Sequence, residues 1–362
     1  MNRSWRVGRI GGVDIRIDLS FFVVAFLLVS YQWTAFSDRS LHPGNGTTEA
    51  LALSLMVAAV FFGSVLAHEF AHAVMYRVLG IDVAAITLWM FGGFTQAKRA
   101  APTSAGEFAV SAVGPATSAA VGGVLLVAGH ALAGQVGDAF IRLGQLNLLL
   151  AVFNILPGYP LDGGHVLRSI VWRVTGNPGL ATTVAARIGQ GFGLVLVAVG
   201  VSLGLPTGDL SRLWLAVIGM MLFQTATATL GQERRNRALA ETRVRQVMSA
   251  PPPSLPADLP LGQALETRLN GHAGEAFPVM EDGHVIGLIS LSTAAGVSPD
   301  RPVRDATVDP GTTVEARPDE ALTDLAARLG DRPASAVLVV EDGRLVGVVE
   351  PGDLDRFFRR VR

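Results

Sequence analysis

Two histidines and a glutamate stand in an apolar stretch of the chain, where ionisable side chains are unexpected. In GSVLAHEFAHAVMYRVLG, residues 63–80, His68 and His72 are four positions apart and Glu69 lies between them. On an α-helix, residues four apart project from one face about one turn apart, so both imidazoles can bind one metal ion. The carboxylate can then reach a water molecule without being a ligand. The H-E-x-x-H pattern is typical of zinc peptidases, in which the glutamate is the general base.

The surroundings of these residues favour the metal interpretation. The same pattern also arises by chance in soluble proteins, as an ordinary exposed helix face. At membrane depth an ionisable side chain costs on the order of 2.5–3.5 kcal/mol on insertion scales, and such groups are usually functional. A catalytic zinc site needs a third protein ligand. Asp162 is the candidate, although an isolated aspartate before Gly163-Gly164 would otherwise be assigned to a turn.

The elements that must position these residues are transmembrane helices. Of the 362 residues, 50% are hydrophobic and only 16% are charged, which is too apolar for an ordinary soluble protein. A helix needs roughly 20 apolar residues to cross a membrane. Six segments approach or exceed that length: 18–36, 50–79, 106–134, 138–160, 184–205 and 210–231. We expect the first to be a helix and not a cleaved signal peptide, since it shows no small-residue cleavage site.

The positions of the basic residues predict the orientation of these helices. Arginines, with one lysine, cluster in the N-terminal leader, between the second and third segments, between the fourth and fifth, and after the sixth. The opposite side offers only Arg39, Arg142 and Arg212. The positive-inside rule therefore places both termini in the cytoplasm. The second and fourth segments then both end inward, which brings the histidines and Asp162 to the same side of the membrane.

With these residues identified, the first two-thirds of the chain resembles the site-2 protease family, intramembrane zinc metalloproteases that cut transmembrane substrates. The resemblance rests on HEFAH at 68–72 and on NILPGYPLDGG at 154–164, which match H-E-x-x-H and N-x-x-P…D-G-G. Further similar features are GGF at 92–94 and VGP at 113–115. The paired motifs are far more specific than either alone.

The resemblance implies a role for each matching residue. His68, His72 and Asp162 would ligate one catalytic Zn²⁺ per chain, and Glu69 would be the catalytic base. Asn154 would help to hold the substrate chain near the metal; an interhelical hydrogen bond is the alternative use of an asparagine in a membrane. The implied substrate is a single-span transmembrane regulatory protein, such as an anti-sigma factor.

A transmembrane substrate must unwind before its carbonyl groups become accessible, and one segment could receive the unwound chain. Residues 86–99, ITLWMFGGFTQAKR, alternate loosely and contain Gly92-Gly93. We predict a short membrane-associated β-hairpin whose edge pairs with an extended substrate, with Gly92 and Gly93 as candidate substrate-binding residues. A plain loop between helices is the alternative.

The C-terminal part of the chain has a different composition and an internal repeat. Residues 1–237 carry 16 basic against 11 acidic residues, whereas residues 238–362 carry 13 against 19. VMEDGHVIGLIS at 279–290 recurs as VVEDGRLVGVVE at 339–350, each predicting two strands joined by an Asp-Gly turn. This part resembles a tandem pair of cystathionine-β-synthase (CBS) domains. We therefore expect a polytopic α-helical membrane domain of about six helices in 1–237, then a helical linker and a soluble α/β CBS pair in 238–362.

CBS pairs often bind adenine nucleotides through a serine or threonine and an aspartate three residues later. The first copy has Ser290 but Thr293 at the aspartate position, and the second has Asp353 but Glu350 at the hydroxyl position. A carboxylate at Glu350 would repel phosphate. Ser290 and Asp353 are thus the candidate nucleotide-binding residues, and homodimerisation through the pair or gating of the substrate is an alternative role.

The remaining composition narrows the functional classes. The net charge of −1 provides no basic surface for nucleic acid, and the absence of cysteine excludes disulfides and thiolate ligands. The alternative function is a CBS-regulated transporter that uses the buried His/Glu/Asp cluster as an ion site. The arginine-rich, nearly lysine-free composition suggests a GC-rich bacterial genome, so we expect a multi-pass protein of the bacterial plasma membrane.

Overall fold

A computed structural model of the protein describes residues 4–38, 46–206, 208, 210–250, 253–271, 276–282, 284–308, 314–329, 337–342, 344–349 and 351–360. The chain forms two compact units, Met1–Leu230 and Gly231–Arg362. The first contains long helices and one mixed sheet. Its elements are β1 (Ser4–Ile10), β2 (Val13–Asp18), α1 (Phe21–Ser37), α2 (Thr47–Val78), β3 (Val83–Trp89), β4 (Gly92–Ala97), α3 (Ser104–Ala131), α4 (Gly134–Asn154), α5 (Asp162–Thr175), α6 (Pro178–Gly204) and the first part of α7 (Leu210–Glu241), which continues into the second unit.

The predicted membrane helices are present, with corrections to their number and ends. Among the described residues, five helices are long and apolar enough to cross a membrane, namely α2, α3, α4, α6 and α7. The first predicted span is α1, whose 17 residues lie at the lower limit of about 17 for a crossing helix. α7 runs on to Glu241, so the charged linker begins as a continuation of the last apolar helix.

The fourth span is shorter than predicted, and an additional helix follows it. α4 ends at Asn154 and not at residue 160, because Pro157 and Pro160 lack the N–H that a continuing helix requires. A loop then leads to α5, a 14-residue amphipathic helix that was not predicted. Asp162 is its first residue, so the third candidate ligand sits at a helix start after a loop.

The leader and the predicted hairpin belong to a single sheet. Its strand order is β1-β2-β3-β4, with β1/β2 and β3/β4 antiparallel and β2/β3 parallel. The hairpin expected in residues 86–99 is therefore present as β3–β4, and the alternating leader supplies the other two strands. Buried side chains of β2 and β3, including Val13 and Ile86, pack against Ala73 of α2. This packing holds the sheet against the helix that carries the histidines.

Small residues allow the helices of the membrane unit to approach closely. A Cβ at Gly144 of α4 would lie 2.9 Å from the Gly122 carbonyl oxygen of α3, and a Cβ at Gly129 would lie 2.8 Å from the Ile141 nitrogen. Such distances leave no space for a larger side chain, as is usual where helices pack in a membrane. α3 consequently packs tightly on α4, and another of its faces contacts the histidines of α2.

The second unit contains the two predicted repeats as two three-stranded sheets, β5-β6-β7 and β10-β9-β8. In both copies a β-hairpin turns at an aspartate with positive φ, Asp282 and Asp342. The elements are β5 (Leu255–Pro256), α8 (Leu261–Ala264), β6 (Ala276–Glu281), β7 (His284–Ser290), α9 (Leu291–Ala294), β8 (Val314–Ala316), α10 (Leu322–Leu329), β9 (Val337–Glu341), β10 (Arg344–Val349) and α11 (Pro351–Arg360). Each copy has its own apolar core.

Candidate active site

The three candidate metal ligands converge although Asp162 is 90 positions beyond His72. The Nε2 atoms of His68 and His72 are 3.2 Å apart, and Oδ2 of Asp162 lies 3.1 Å from the first and 3.3 Å from the second. His68 and His72 are buried, and the carboxylate of Asp162 is one-fifth exposed. Among the described residues this is the one group of three or more potential ligand side chains close enough to share a metal.

The spacing of these atoms fits a zinc ion. Ligand atoms at about 2.0–2.2 Å from a tetrahedral ion lie roughly 3.3–3.6 Å from one another, close to the separations observed. Two neutral imidazoles and one carboxylate form a donor set common in catalytic zinc sites, and three protein ligands leave a fourth position free for water. Glu69 stands on the same helix as the histidines and is 7% exposed.

The outer nitrogens of both imidazoles have partners on α3. Nδ1 of His72 lies 2.7 Å from the main-chain oxygen of Val110, which can only accept a hydrogen bond. The proton of that ring is therefore on Nδ1, and the lone pair of Nε2 faces the metal position. Nδ1 of His68 lies 2.8 Å from the hydroxyl of Ser118, which can donate or accept. α3 thus orients both rings and selects the tautomer of one.

Gly114, also on α3, provides the space that the imidazoles occupy. A Cβ at this position would lie 2.7 Å from Nε2 of His68 and still closer to Nε2 of His72. Real Cβ atoms do not approach ring nitrogens so closely. A side chain on Gly114 would therefore displace the two ligand atoms themselves.

We expect Gly114→Ala to weaken the zinc affinity of the purified protein by at least tenfold, because loss of a supporting partner of a ligand costs about 10–100-fold in affinity. Metal analysis after dialysis against a fixed free zinc concentration measures this. Gly123→Ala is the matched control, because it lies on the same helix and an added Cβ there meets no atom within 4 Å. Equal zinc contents in the two variants would contradict the steric assignment.

Glu69 is held by the hairpin as well as by its own helix. The Thr95 hydroxyl of β4 lies 2.9 Å from Oε2 of Glu69 and 3.0 Å from its main-chain oxygen. A Cβ at Gly93 would lie 2.9 Å from Cδ of Glu69, so β4 can approach this carboxylate only with a glycine there. Gly92, with φ of 124°, opens the strand in a backbone region that favours glycine.

Asn154 lies at the C-terminal end of α4 and is half-buried. Its side-chain amide donates to the Leu150 carbonyl oxygen of its own helix at 3.1 Å. This contact neither requires nor excludes a bond from the side-chain oxygen to a substrate.

A buried polar cluster beside the site was not predicted. Glu107 of α3 is buried, forms an ion pair with Arg168, and lies 3.2 Å from Nδ1 of His165. Arg168 also donates to the Thr182 hydroxyl of α6 at 2.8 Å. The cluster connects α3, α5 and α6 and holds the helix whose first residue is Asp162. The sequence signal that could have predicted this cluster is Glu107 within an apolar segment, since a buried carboxylate requires a cationic partner.

The two candidate nucleotide residues occupy different surroundings. The Ser290 hydroxyl caps α9, accepting from the main-chain nitrogen of Thr293 at 3.3 Å. Asp353 is 4% exposed, accepts from the Ser249 hydroxyl at 2.7 Å and forms an ion pair with Arg356. Glu350 lies outside the described residues.

Parts of the chain match known protein families. The sequence profile of Peptidase family M50 matches residues 129–198, and that of the CBS domain matches residues 244–300 and 297–360. A Mycobacterium tuberculosis protein named for a zinc metalloprotease, Rip3, is 34% identical over 97% of this chain and 91% of its own length.

The chain is also similar to a second named relative and, over part of its length, to one solved structure. A Synechocystis protein, sll0528, also named for a zinc metalloprotease, is 32% identical over 98% of this chain and 95% of its own length. The solved structure of a site-2 protease from Methanocaldococcus jannaschii is 24% identical, covers 63% of this chain and 95% of its own, and superposes with a TM-score of 0.46.

The relatives that span nearly the whole chain are named as proteases, which favours proteolysis over the transporter alternative. Apolar helices of crossing length and the M50 match also make this a multi-pass membrane protein. The chain therefore belongs to peptidase family M50, the site-2 protease family of membrane zinc metalloproteases, and carries a tandem pair of CBS domains after its membrane unit.

Proposed function

We propose that the protein hydrolyses a peptide bond within or near the transmembrane segment of a membrane-anchored regulatory protein, with one catalytic zinc held by His68, His72 and Asp162. The observation that carries the proposal is the convergence of these three ligand atoms beside the buried carboxylate of Glu69. A single-span protein such as an anti-sigma factor is the proposed substrate.

Each residue of the site has a distinct task in this chemistry. His68, His72 and Asp162 would hold a zinc ion, which would supply the Lewis acid needed to activate water and polarise the scissile carbonyl. Glu69 accepts the proton of the attacking water on its carboxylate and delivers it to the leaving amine. Val110 and Ser118 keep the imidazoles oriented through their outer nitrogens. Burial keeps bulk water away from these charges and strengthens their interactions.

The edge of β4 is the proposed docking position for the unwound substrate. In the part of the chain that the structure describes, β4 pairs with β3 on one side and with no strand on the other. An extended peptide can add to such an edge through main-chain hydrogen bonds. It would lie about 4.7–4.9 Å from β4, the ordinary spacing of paired strands, and so next to the residues that cover Glu69. Gly92 and Gly93 allow the close approach, and Asn154 is the proposed second contact to the substrate.

The proposed location is the bacterial plasma membrane, with both termini and the CBS pair in the cytoplasm. The basis is the asymmetry of the basic residues around the apolar helices. This orientation requires α1 to cross the membrane in addition to the five longer helices. Accessibility labelling of single cysteines placed in the leader and in the CBS pair of the cysteine-free chain tests it, and labelling of either from outside intact cells would overturn it.

The CBS pair is proposed to be a regulatory or dimerisation module. Ser249 and Arg356 already contact the carboxylate of Asp353. A bound adenine nucleotide would have to share this carboxylate with them. We therefore favour self-association of the full-length protein over tight nucleotide binding. Light scattering and AMP titration of the detergent-solubilised protein distinguish the two, and a monomer that binds AMP tightly would contradict this assignment.

The decisive experiment is cleavage of a synthetic transmembrane substrate by the purified full-length protein in detergent. We expect about one zinc per chain by metal analysis, a cut within or near the substrate span by mass spectrometry, loss of cleavage on chelation and its recovery with added zinc. Protein that binds no zinc, or cleavage that persists after complete chelation, would overturn the proposal.

A further inference from the structure

We propose that Thr95 is a positioning residue that orients the carboxylate of Glu69 and couples it to β4, the strand on which substrate docks. The inference rests on the proposed proteolytic function and names a further residue of the same site. It comes from the contact between the hairpin and the candidate base, not from either sequence motif.

The alternation of side chains along a strand brings two residues of β4 onto Glu69. Residues two apart on a strand project to the same face, so Gly93 and Thr95 share the face that covers α2. Gly93 contributes the space and Thr95 contributes the hydroxyl. Thr95 is itself held in register by its pairing with Ile86 of β3. The carboxylate is therefore fixed against the strand and not only along its helix.

The Thr95 hydroxyl has two acceptors on the same residue. Oε2 and the main-chain oxygen of Glu69 lie 2.9 and 3.0 Å from Oγ1, and a hydroxyl carries one hydrogen. The first contact places Oγ1 beside the main-chain oxygen of Glu69. The second contact, to Oε2, favours one rotamer of the Glu69 side chain. A valine at this position has nearly the same shape but cannot make either bond.

The same contacts relate the base to the docked substrate. An extended peptide paired with the edge of β4 takes its position from the backbone of that strand, and Thr95 ties the strand to the carboxylate. Substrate and base are thus located by one element. The expected consequence of losing the hydroxyl is a slower chemical step with unchanged binding, since a displaced catalytic group lowers kcat and leaves the docking edge intact.

The test compares Thr95→Val and Thr95→Ser with the matched control Thr87→Val in the full-length protein. Thr87 is a buried threonine of β3 whose hydroxyl accepts from Gln96 at 3.3 Å and is not among the contacts of Glu69. We expect Thr95→Val to lower kcat by about tenfold with KM within twofold, Thr95→Ser to recover most of the rate, and Thr87→Val to match wild type. Zinc content and thermal unfolding should be unchanged in all three.

A second readout does not depend on activity. In a Glu69→Gln background, the added Thr95→Val change should leave the affinity for the synthetic transmembrane peptide within twofold. A loss of affinity, an effect confined to KM, or a Thr95→Ser variant as slow as Thr95→Val would overturn the positioning role. If Glu69→Gln abolishes cleavage while Thr95→Val cleaves at the wild-type rate, this inference alone is rejected. If Glu69→Gln also cleaves at the wild-type rate, the proposed function is rejected as well.

Discussion

Replacing Glu69 by glutamine is expected to reduce peptide-bond hydrolysis by about 10³-fold while the protein keeps its zinc, the middle of the range for removal of a general base, 10²–10⁴-fold. Glutamine has the same shape and can still accept the Thr95 hydroxyl, so the packing of β4 on α2 is retained. What it loses is the capacity to take a proton from water. Single-turnover cleavage together with metal analysis measures both properties on the same preparation.

Glu49→Gln provides the control for Glu69→Gln. Glu49 lies in the first turn of the same helix, and it is exposed, so the control makes the same chemical change far from the ligands. We expect its rate within twofold of wild type. A Glu69→Gln protein that cleaves at the wild-type rate would remove the glutamate from the mechanism. One that is inactive because it has lost zinc would show a ligand or folding defect instead.

Asp162→Asn is expected to lose the zinc ion itself, whereas Glu69→Gln is expected to keep it. The neutral amide removes the one negative charge from the ligand set and is a poor ligand for zinc. Since loss of an outer partner of a ligand already costs 10–100-fold in affinity, we expect loss of the ligand to weaken zinc binding by at least about 100-fold. Cleavage should fall in proportion to occupancy and recover partly at high zinc concentration. Competition with a chelator of known affinity gives the dissociation constant.

Asp82→Asn is the control for Asp162→Asn. The Asp82 carboxylate is 78% exposed and pairs with Lys98, so its environment differs from that of the largely buried ligand Asp162. An exposed pair of this kind contributes at most about 1 kcal/mol, so both zinc affinity and cleavage should stay within twofold of wild type. Zinc binding by Asp162→Asn at wild-type affinity would remove Asp162 from the ligand set and leave the histidines without their third partner.

The paired variants separate two tasks that one sequence motif combines. His68 and Glu69 are adjacent in the chain, yet one is assigned to the metal and the other to the proton. An inactive protein with zinc and an inactive protein without zinc therefore identify different residues. Neither result depends on knowing the biological substrate, because zinc content is measured on the purified protein alone.

The fold was predictable where a local pattern carries it. Apolar segments of crossing length indicate membrane helices by their composition alone, and the two copies of the Asp-Gly hairpin indicate the repeat of the C-terminal unit. The ends of α4 and the existence of α5 were not predicted. A short amphipathic helix between two apolar ones has no distinctive composition, and the apolar residues continue past Asn154 although Pro157 and Pro160 end the helix.

The chemical types at the site and their local spacing can be read directly from the amino-acid sequence. A separation of four positions between two histidines on a helix places both imidazoles on one face whatever the rest of the chain does, because helix geometry is local. The second motif supplied Asp162 as the remaining candidate ligand. The groups that surround them become visible in the folded chain: Val110, Ser118 and Gly114 from α3, and Thr95 from β4. These contacts join elements far apart in the chain, and their geometry follows from how helices and sheet pack, which no local spacing encodes.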